Sequence, residues 1–196
     1  MATEDHGVSE TQDWRARRWA ETHQRIYDTA MRLFQERGFE QVSVGHITTG
    51  AGVSVPTFYA HYPSKEHLVM QLPTADDVAA LLATQPVELP VGERIRRAAP
   101  LFFAQWDMDA QLSRWRIIAT TPSLRRRAAE FERATAELVN DAMPTNPDDS
   151  AAQSATVLVN AYLAAFTSGV LAWADSNGQR KIEELVDEAF DALEKR

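Results

Sequence analysis

No cysteine occurs anywhere in the 196 residues. Disulfides, thiol catalysis and Cys-ligated metals are thereby excluded, while the compartment stays open. Long apolar runs are missing too: none approaches the roughly 18 residues that a membrane span requires. Met1 to Asp13 is acidic and polar and lacks the apolar core of a signal peptide, so a cytoplasmic protein is the expectation. Catalytic signatures are absent as well: there is no GxGxxG, P-loop, GxSxG or HExxH. The acidic pairs Asp76-Asp77, Asp148-Asp149 and Glu183-Glu184 fall at expected helix starts or on exposed faces, where carboxylates complement the macrodipole or simply solvate. No two of the five histidines stand four apart, so His61 and His67 make a poor zinc pair. No enzyme, metal or cofactor is expected. Basic charge is also short: the formal charge of −8 argues against a general nucleic-acid coat.

The charge that is present is unevenly spread. Trp14 to Lys65 holds seven Lys/Arg against four Asp/Glu, and Val69 to Arg196 holds thirteen against nineteen. A mildly basic head on an acidic body suits a protein that touches DNA at one end. Residues 1–13 are expected to be a disordered tail, since they have little to bury. Residues 14–63 read as one domain and 64–196 as a second. The first long helix is expected over about Ala20 to Arg37, with Ile26, Ala30, Leu33 and Phe34 at helical spacing. Gly38 stops it.

The organising stretch follows. Ser43 is placed to cap a short helix carrying Val44 and Ile47, and Gly50, Ala51 and Gly52 turn the chain back. Ser54 caps the next helix, with Pro56 in its first turn. Pro63 breaks that helix, and Ser64 is placed to cap a connecting helix reaching about Leu72. Two capped short helices around a glycine bend make the helix-turn-helix pattern, whose second helix enters the DNA major groove.

Further along, helix is expected over Thr74 to Ala83, and from Gly92 to Asp109 with a kink near Arg96 to Ala99 caused by Pro100. Leu112 to Ala119 and Pro122 to about Met143 follow. Ser150 to Asp175 is Ala-rich and apolar nearly all round, so it must be covered on several sides. Gln179 to Lys195 carries one apolar face. These last two helices form an antiparallel hairpin with apolar surface to spare, which a second copy can cover in a four-helix interface. The fold class is all-α: a three-helix DNA-binding head, then a helical bundle with a ligand pocket and a dimerisation hairpin.

Residues Arg25 to Leu68 resemble the N-terminal domain of the TetR family of bacterial transcriptional regulators. R-I-Y-D-T-A-M-R-L-F-Q-E-R-G-F-E-Q-V carries the first part of the likeness, and A-G-V-S-V-P-T-F-Y-A-H-Y-P-S-K-E-H-L the second. Gly45 and His46 depart from it, standing where the family usually has a charged pair, so the first short helix is expected to be weak. Leu112 to Ala128 is similar to the mycofactocin-regulator-like branch, where acyl-CoA-type ligands are implied.

Candidate DNA contacts divide into three groups. Val55, Pro56 and Thr57 open the recognition helix and can meet base edges, including the thymine methyl. Ser43, Ser54, Tyr59, His61, Tyr62 and Lys65 are candidates for the phosphates, the last four as the resemblance implies; Tyr62 has packing as its alternative. Arg15, Arg17 and Arg18 can reach phosphates or the minor groove, or simply solvate a helix start. The candidate ligand site rests on surplus aromatics: Phe102, Phe103, Trp106, Trp115, Tyr162 and Phe166, with Arg116 and Asn160 as polar anchors. An ordinary aromatic core is the alternative for each. The expected protein is a homodimeric, sequence-specific regulator, most simply a repressor released by a small apolar or acyl-CoA-like ligand. A ligand-binding bundle with a vestigial or activating head, and a helical adaptor, are the alternatives.

Overall fold

A computed structural model describes residues 6–71, 73–142 and 149–195; over 6–13 and 149–153 it describes the backbone alone. Among the described residues all regular structure is helical. The chain divides into two compact units, Met1–Leu68 and Val69–Arg196. The division falls after Leu68 rather than after Pro63.

The first unit holds α1 (His6–Arg37), α2 (Val44–Ala51) and α3 (Val55–His61), with 3-10 turns at Phe39–Gln41 and Glu66–Leu68. α1 starts at His6, within the stretch expected to be a tail. No Gly or Pro interrupts the sequence from Val8 to Arg37, so nothing local stops the helix. Residues 1–5 lie outside the described residues. Ile26, Ala30 and Phe34 of α1, Ile47 of α2 and Phe58 of α3 are all essentially buried. Complete burial of a side chain such as Phe58 contributes about 1.5–3 kcal/mol. Gly52 ends α2 at φ 65°, a left-handed position that suits glycine. Arg25 clamps the same end of α2 by donating its Nε–H to the Ala51 carbonyl at 3.0 Å.

The connecting helix expected over Ser64 to Leu72 does not form over residues 64–71, which contain a single 3-10 turn. The Ser64 hydroxyl donates to the Glu66 carboxylate at 2.6 Å and lies 2.9 Å from His67 Nδ1. These local side-chain bonds compete with helical pairing, and Pro73 bars helix before it. Leu72 lies outside the described residues.

The second unit runs through α4 (Ala75–Ala83), α5 (Val91–Phe103), α6 (Met108–Thr120), α7 (Pro122–Asp141), α8 (Asp149–Asp175) and α9 (Ile182–Glu194). The run expected from Gly92 to Asp109 is two helices. α5 ends soon after Pro100, and Asp107 starts α6 by accepting the Ala110 N–H at 3.1 Å. α8 packs against α5, α6, α7 and α9. Its Ser154–Asp175 stretch, with mean hydropathy 1.6, is long and apolar enough to cross a bilayer by length and composition. That corrects the expectation of no such run: Val, Leu and Ala supply the hydropathy, and no charged residue interrupts the stretch before Asp175. At Gly169, an added Cβ would lie 2.6 Å from Val186 Cα, so the α8 and α9 backbones touch there. Arg96 of α5 holds α9 through Asp187 and Asp191, each at 2.6 Å, and Glu194 at 3.1 Å.

Candidate functional site

α3 is built to present one face. Ser54 Oγ accepts the Thr57 N–H at 3.1 Å and lies 2.7 Å from Thr57 Oγ1, fixing the first turn. Phe58 is fully buried and anchors the opposite side. Val55, Pro56 and Tyr59 then stand exposed, and Thr57 is half-buried. An apolar and methyl-bearing set of this kind suits thymine methyls and groove shape better than bidentate base pairing. Ser43 caps α2 from an exposed position. His46, expected to weaken α2, completes a capping box with it: the Ser43 N–H donates to His46 Nδ1 at 3.3 Å. Arg15, Arg17 and Arg18 lie exposed on α1, and the Arg18 guanidinium sits 5.2 Å over the Trp14 ring.

Two of the expected phosphate contacts turn inward. Tyr62 is 4% exposed, and its hydroxyl donates to the His23 carbonyl at 3.2 Å. It closes α3 as the C-cap residue, so its ring must point back at α1. Burial raises its phenol well above the ordinary value, with Tyr27 and Asp28 adding to it. Lys65 donates from Nζ to the carbonyls of Phe39 and Val42 at 2.9 and 3.0 Å, and sits 4.3 Å over the Phe39 ring. The Phe39 carbonyl already accepts the Val42 N–H at 3.3 Å, so the ammonium is its second donor. His61 is half-buried, tilted against Trp19 at 4.6 Å between ring centroids and 5.6 Å from His23. Burial lowers both imidazoles, His23 also through repulsion by His61.

The second unit encloses a cavity of about 180 Å³. Phe102, Trp106, Trp115 and Phe166 line it, at the meeting of α5, α6 and α8. Phe103 instead stacks behind Phe166 at 5.4 Å, within the core. Tyr162 is turned to α9, where its hydroxyl donates to Glu194 at 2.6 Å; burial and that carboxylate push it up to about 12. Asn160 is exposed and bonds the Thr156 carbonyl of its own helix. Arg116 is exposed also, and Arg114, two places earlier, is the arginine that lines the cavity. Two residues on a helix are about 200° apart, which is why one faces in and the other out. Sequence reading missed Glu132 and Thr167, which lie on the cavity wall. Glu132 follows Phe131 on an otherwise charged stretch of α7, and nothing in its spacing separates it from its solvated neighbours. Burial raises its carboxyl, and a hydrogen bond from Thr167 opposes that shift. Among the described residues there is no cluster of three metal-ligating side chains.

Residues 26–72 match the family described as bacterial regulatory proteins, tetR family. The chain is 45% identical over 47 residues to the HTH-type transcriptional regulator EthR of Mycolicibacterium smegmatis, covering 24% of this chain and 22% of that one. It is 33% identical over 116 residues to the putative mycofactocin biosynthesis transcriptional regulator MftR of Mycobacterium tuberculosis, covering 55% and 57%. The chain thus spans less than two thirds of these curated relatives. Its fold is that of NalD, the secondary repressor of the MexAB-OprM multidrug efflux pump in Pseudomonas aeruginosa, at TM-score 0.54 and 17% identity, over 90% of this chain and 95% of that one. The match falls on the capped α2–α3 pair, so the helix-turn-helix head of this chain is similar to that of the bacterial regulatory proteins of the tetR family.

Proposed function

We propose that the protein is a cytoplasmic, homodimeric transcriptional regulator. It binds a pseudo-palindromic operator, acts as a repressor and leaves DNA when a small apolar or acyl-CoA-like molecule fills the cavity of the second unit. The observation that carries the proposal is α3 itself: anchored by Phe58, capped by Ser54, with Val55, Pro56 and Tyr59 left on an open face. With Tyr62 buried and the Lys65 ammonium on two backbone carbonyls, the direct phosphate contacts in this reading are Ser43, Ser54, Tyr59 and the Arg15, Arg17 and Arg18 cluster, with His61 beside them. Exposed apolar side chains on α8, Val157 at 63% and Leu158 at 44%, support pairing through the final hairpin. In a dimer two copies of α3 stand about 34–36 Å apart on successive grooves.

Val69, Met70 and Gln71 line the cavity and follow Leu68 directly in sequence. A ligand therefore acts on the segment leading out of the head. A coupling of about 1–3 kcal/mol between ligand and operator is enough for release. The test is a gel-shift titration on a selected operator with Tyr59→Ala, paired with sedimentation of Val157→Arg. Weakened binding in the first and a shift to monomer in the second are expected. Full operator affinity in Tyr59→Ala contradicts the assignment of the α3 surface.

A further inference from the structure

We infer that His23 and His61 form a proton-operated latch: neutral, they hold the end of α3 against α1, and protonated, they release it and weaken operator binding. This goes beyond the regulator reading above and rests on α3 being its DNA-reading helix. His61 is the last residue of α3, and His23 lies on α1 at 5.6 Å between ring centroids. Aromatic rings close the pair in. His23 stacks on Trp19 at 4.9 Å and on Tyr62 at 4.2 Å, and Trp19 meets His61 at 4.6 Å. The Nδ1 atoms of both histidines are buried, and among the described residues neither has a hydrogen-bond partner. A neutral imidazole carries one N–H and a charged one carries two. Charging either ring therefore puts an N–H on a covered Nδ1 with no acceptor, and charging both sets two cations side by side. Burial lowers both imidazoles, and His61 lowers His23 further.

The other titratable groups of the head have their own partners. Asp28 of α1 accepts the Gln24 amide at 2.8 Å, and with Tyr27 it acts on the Tyr62 phenol. Tyr62 donates its hydroxyl to the His23 carbonyl. Glu66 and His67 bond Ser64, Lys65 reaches the Phe39 and Val42 carbonyls, and His46 of α2 completes the Ser43 cap. The C-terminus of α3 favours a cation on its last residue, but by less than a buried, unsatisfied N–H costs. The closed latch binds fewer protons than the open one, so it is fully held above about pH 6.5 and is lost as pH falls. An exposed histidine beside phosphates does the opposite, since its charge strengthens binding.

The test measures affinity of the full-length protein for a duplex selected from random DNA, by fluorescence anisotropy at about pH 7.5 and about pH 5.5 and at one ionic strength. Far-UV circular dichroism is recorded at both. One unit below 6.5, each imidazole favours the open latch by up to about tenfold. The parent is expected to bind about fivefold or more weakly at the lower pH with its helicity kept. The double variant His23→Phe/His61→Phe is expected to bind within about twofold at the two pH values, and each single variant to fall between. In His46→Ala the parent's weakening is expected to persist. Equal or tighter binding by the parent at the lower pH overturns the inference and leaves the operator reading standing. So does weakening that survives undiminished in the single and double variants, weakening that vanishes in His46→Ala, or loss of helicity at the lower pH. Absence of binding to any duplex at the higher pH overturns it together with the operator reading.

Discussion

Ser43 and His46 hold each other at the start of α2: the His46 amide donates to Ser43 Oγ at 3.2 Å, and the Ser43 amide donates to His46 Nδ1 at 3.3 Å. A histidine thus does what Glu or Gln does in the usual capping box. Replacing His46 with Ala is expected to destabilise the protein by about 0.5 kcal/mol, and His46→Glu to restore it. Thermal unfolding of the two variants checks this. An unchanged melting temperature in His46→Ala would show that the reciprocal bond contributes nothing.

Lys65 and Arg18 are expected to separate folding from DNA contact. Lys65 gives its ammonium to two backbone carbonyls, so Lys65→Ala should cost about 1.5–3 kcal/mol of stability. At a temperature where that variant is folded, the salt dependence of operator binding should be that of the parent. Arg18 is exposed on α1. Arg18→Ala should leave stability alone and lower the salt slope by about one.

Acid should weaken the fold of the head. His23 and His61 are both held below the ordinary value of 6.5, first by burial. Below that value the unfolded chain binds more protons than the folded one, so stability is full above about pH 6.5 and declines as pH falls. Trp19 and Tyr62 flank the pair as neutral rings, and Tyr27 and Asp28 lie near Tyr62. His61→Phe keeps a ring against Trp19 and removes one titrating group. Its urea midpoint should vary less between pH 7 and pH 5 than that of the parent.

Gly169 tests the α8–α9 contact. A methyl there meets Val186 backbone rather than a movable side chain. Gly169→Ala should cost about 1–3 kcal/mol in the second unit. Chemical denaturation followed by tryptophan fluorescence reads this, since Trp173 is buried in that core.

The caps were legible in the sequence because Ser and Gly act on their immediate neighbours: Ser43, Ser54 and Gly52 end helices where their chemistry requires. The all-helical fold followed from apolar periodicity for the same reason. Less legible was anything decided by partners far along the chain. Lys65 reads as a phosphate contact until its ammonium is seen to reach the Phe39 and Val42 carbonyls. Tyr62 reads as a phosphate contact until α1 offers it the His23 carbonyl. In the cavity, Arg116 and Arg114 differ only in which side of α6 they occupy, and a weakly amphipathic helix does not announce that phase. The break between α5 and α6 was hidden because Pro100 drew attention one turn too early, while Asp107 sets the new start.

The central claim is that two copies of α3 read DNA at fixed separation. Selection of random duplexes by the purified protein, followed by sequencing of the bound pool, addresses it directly. The expected result is an inverted repeat whose half-site centres lie about one helical turn, or a multiple of it, apart. Enrichment of a single unrepeated site, or of nothing, would contradict it.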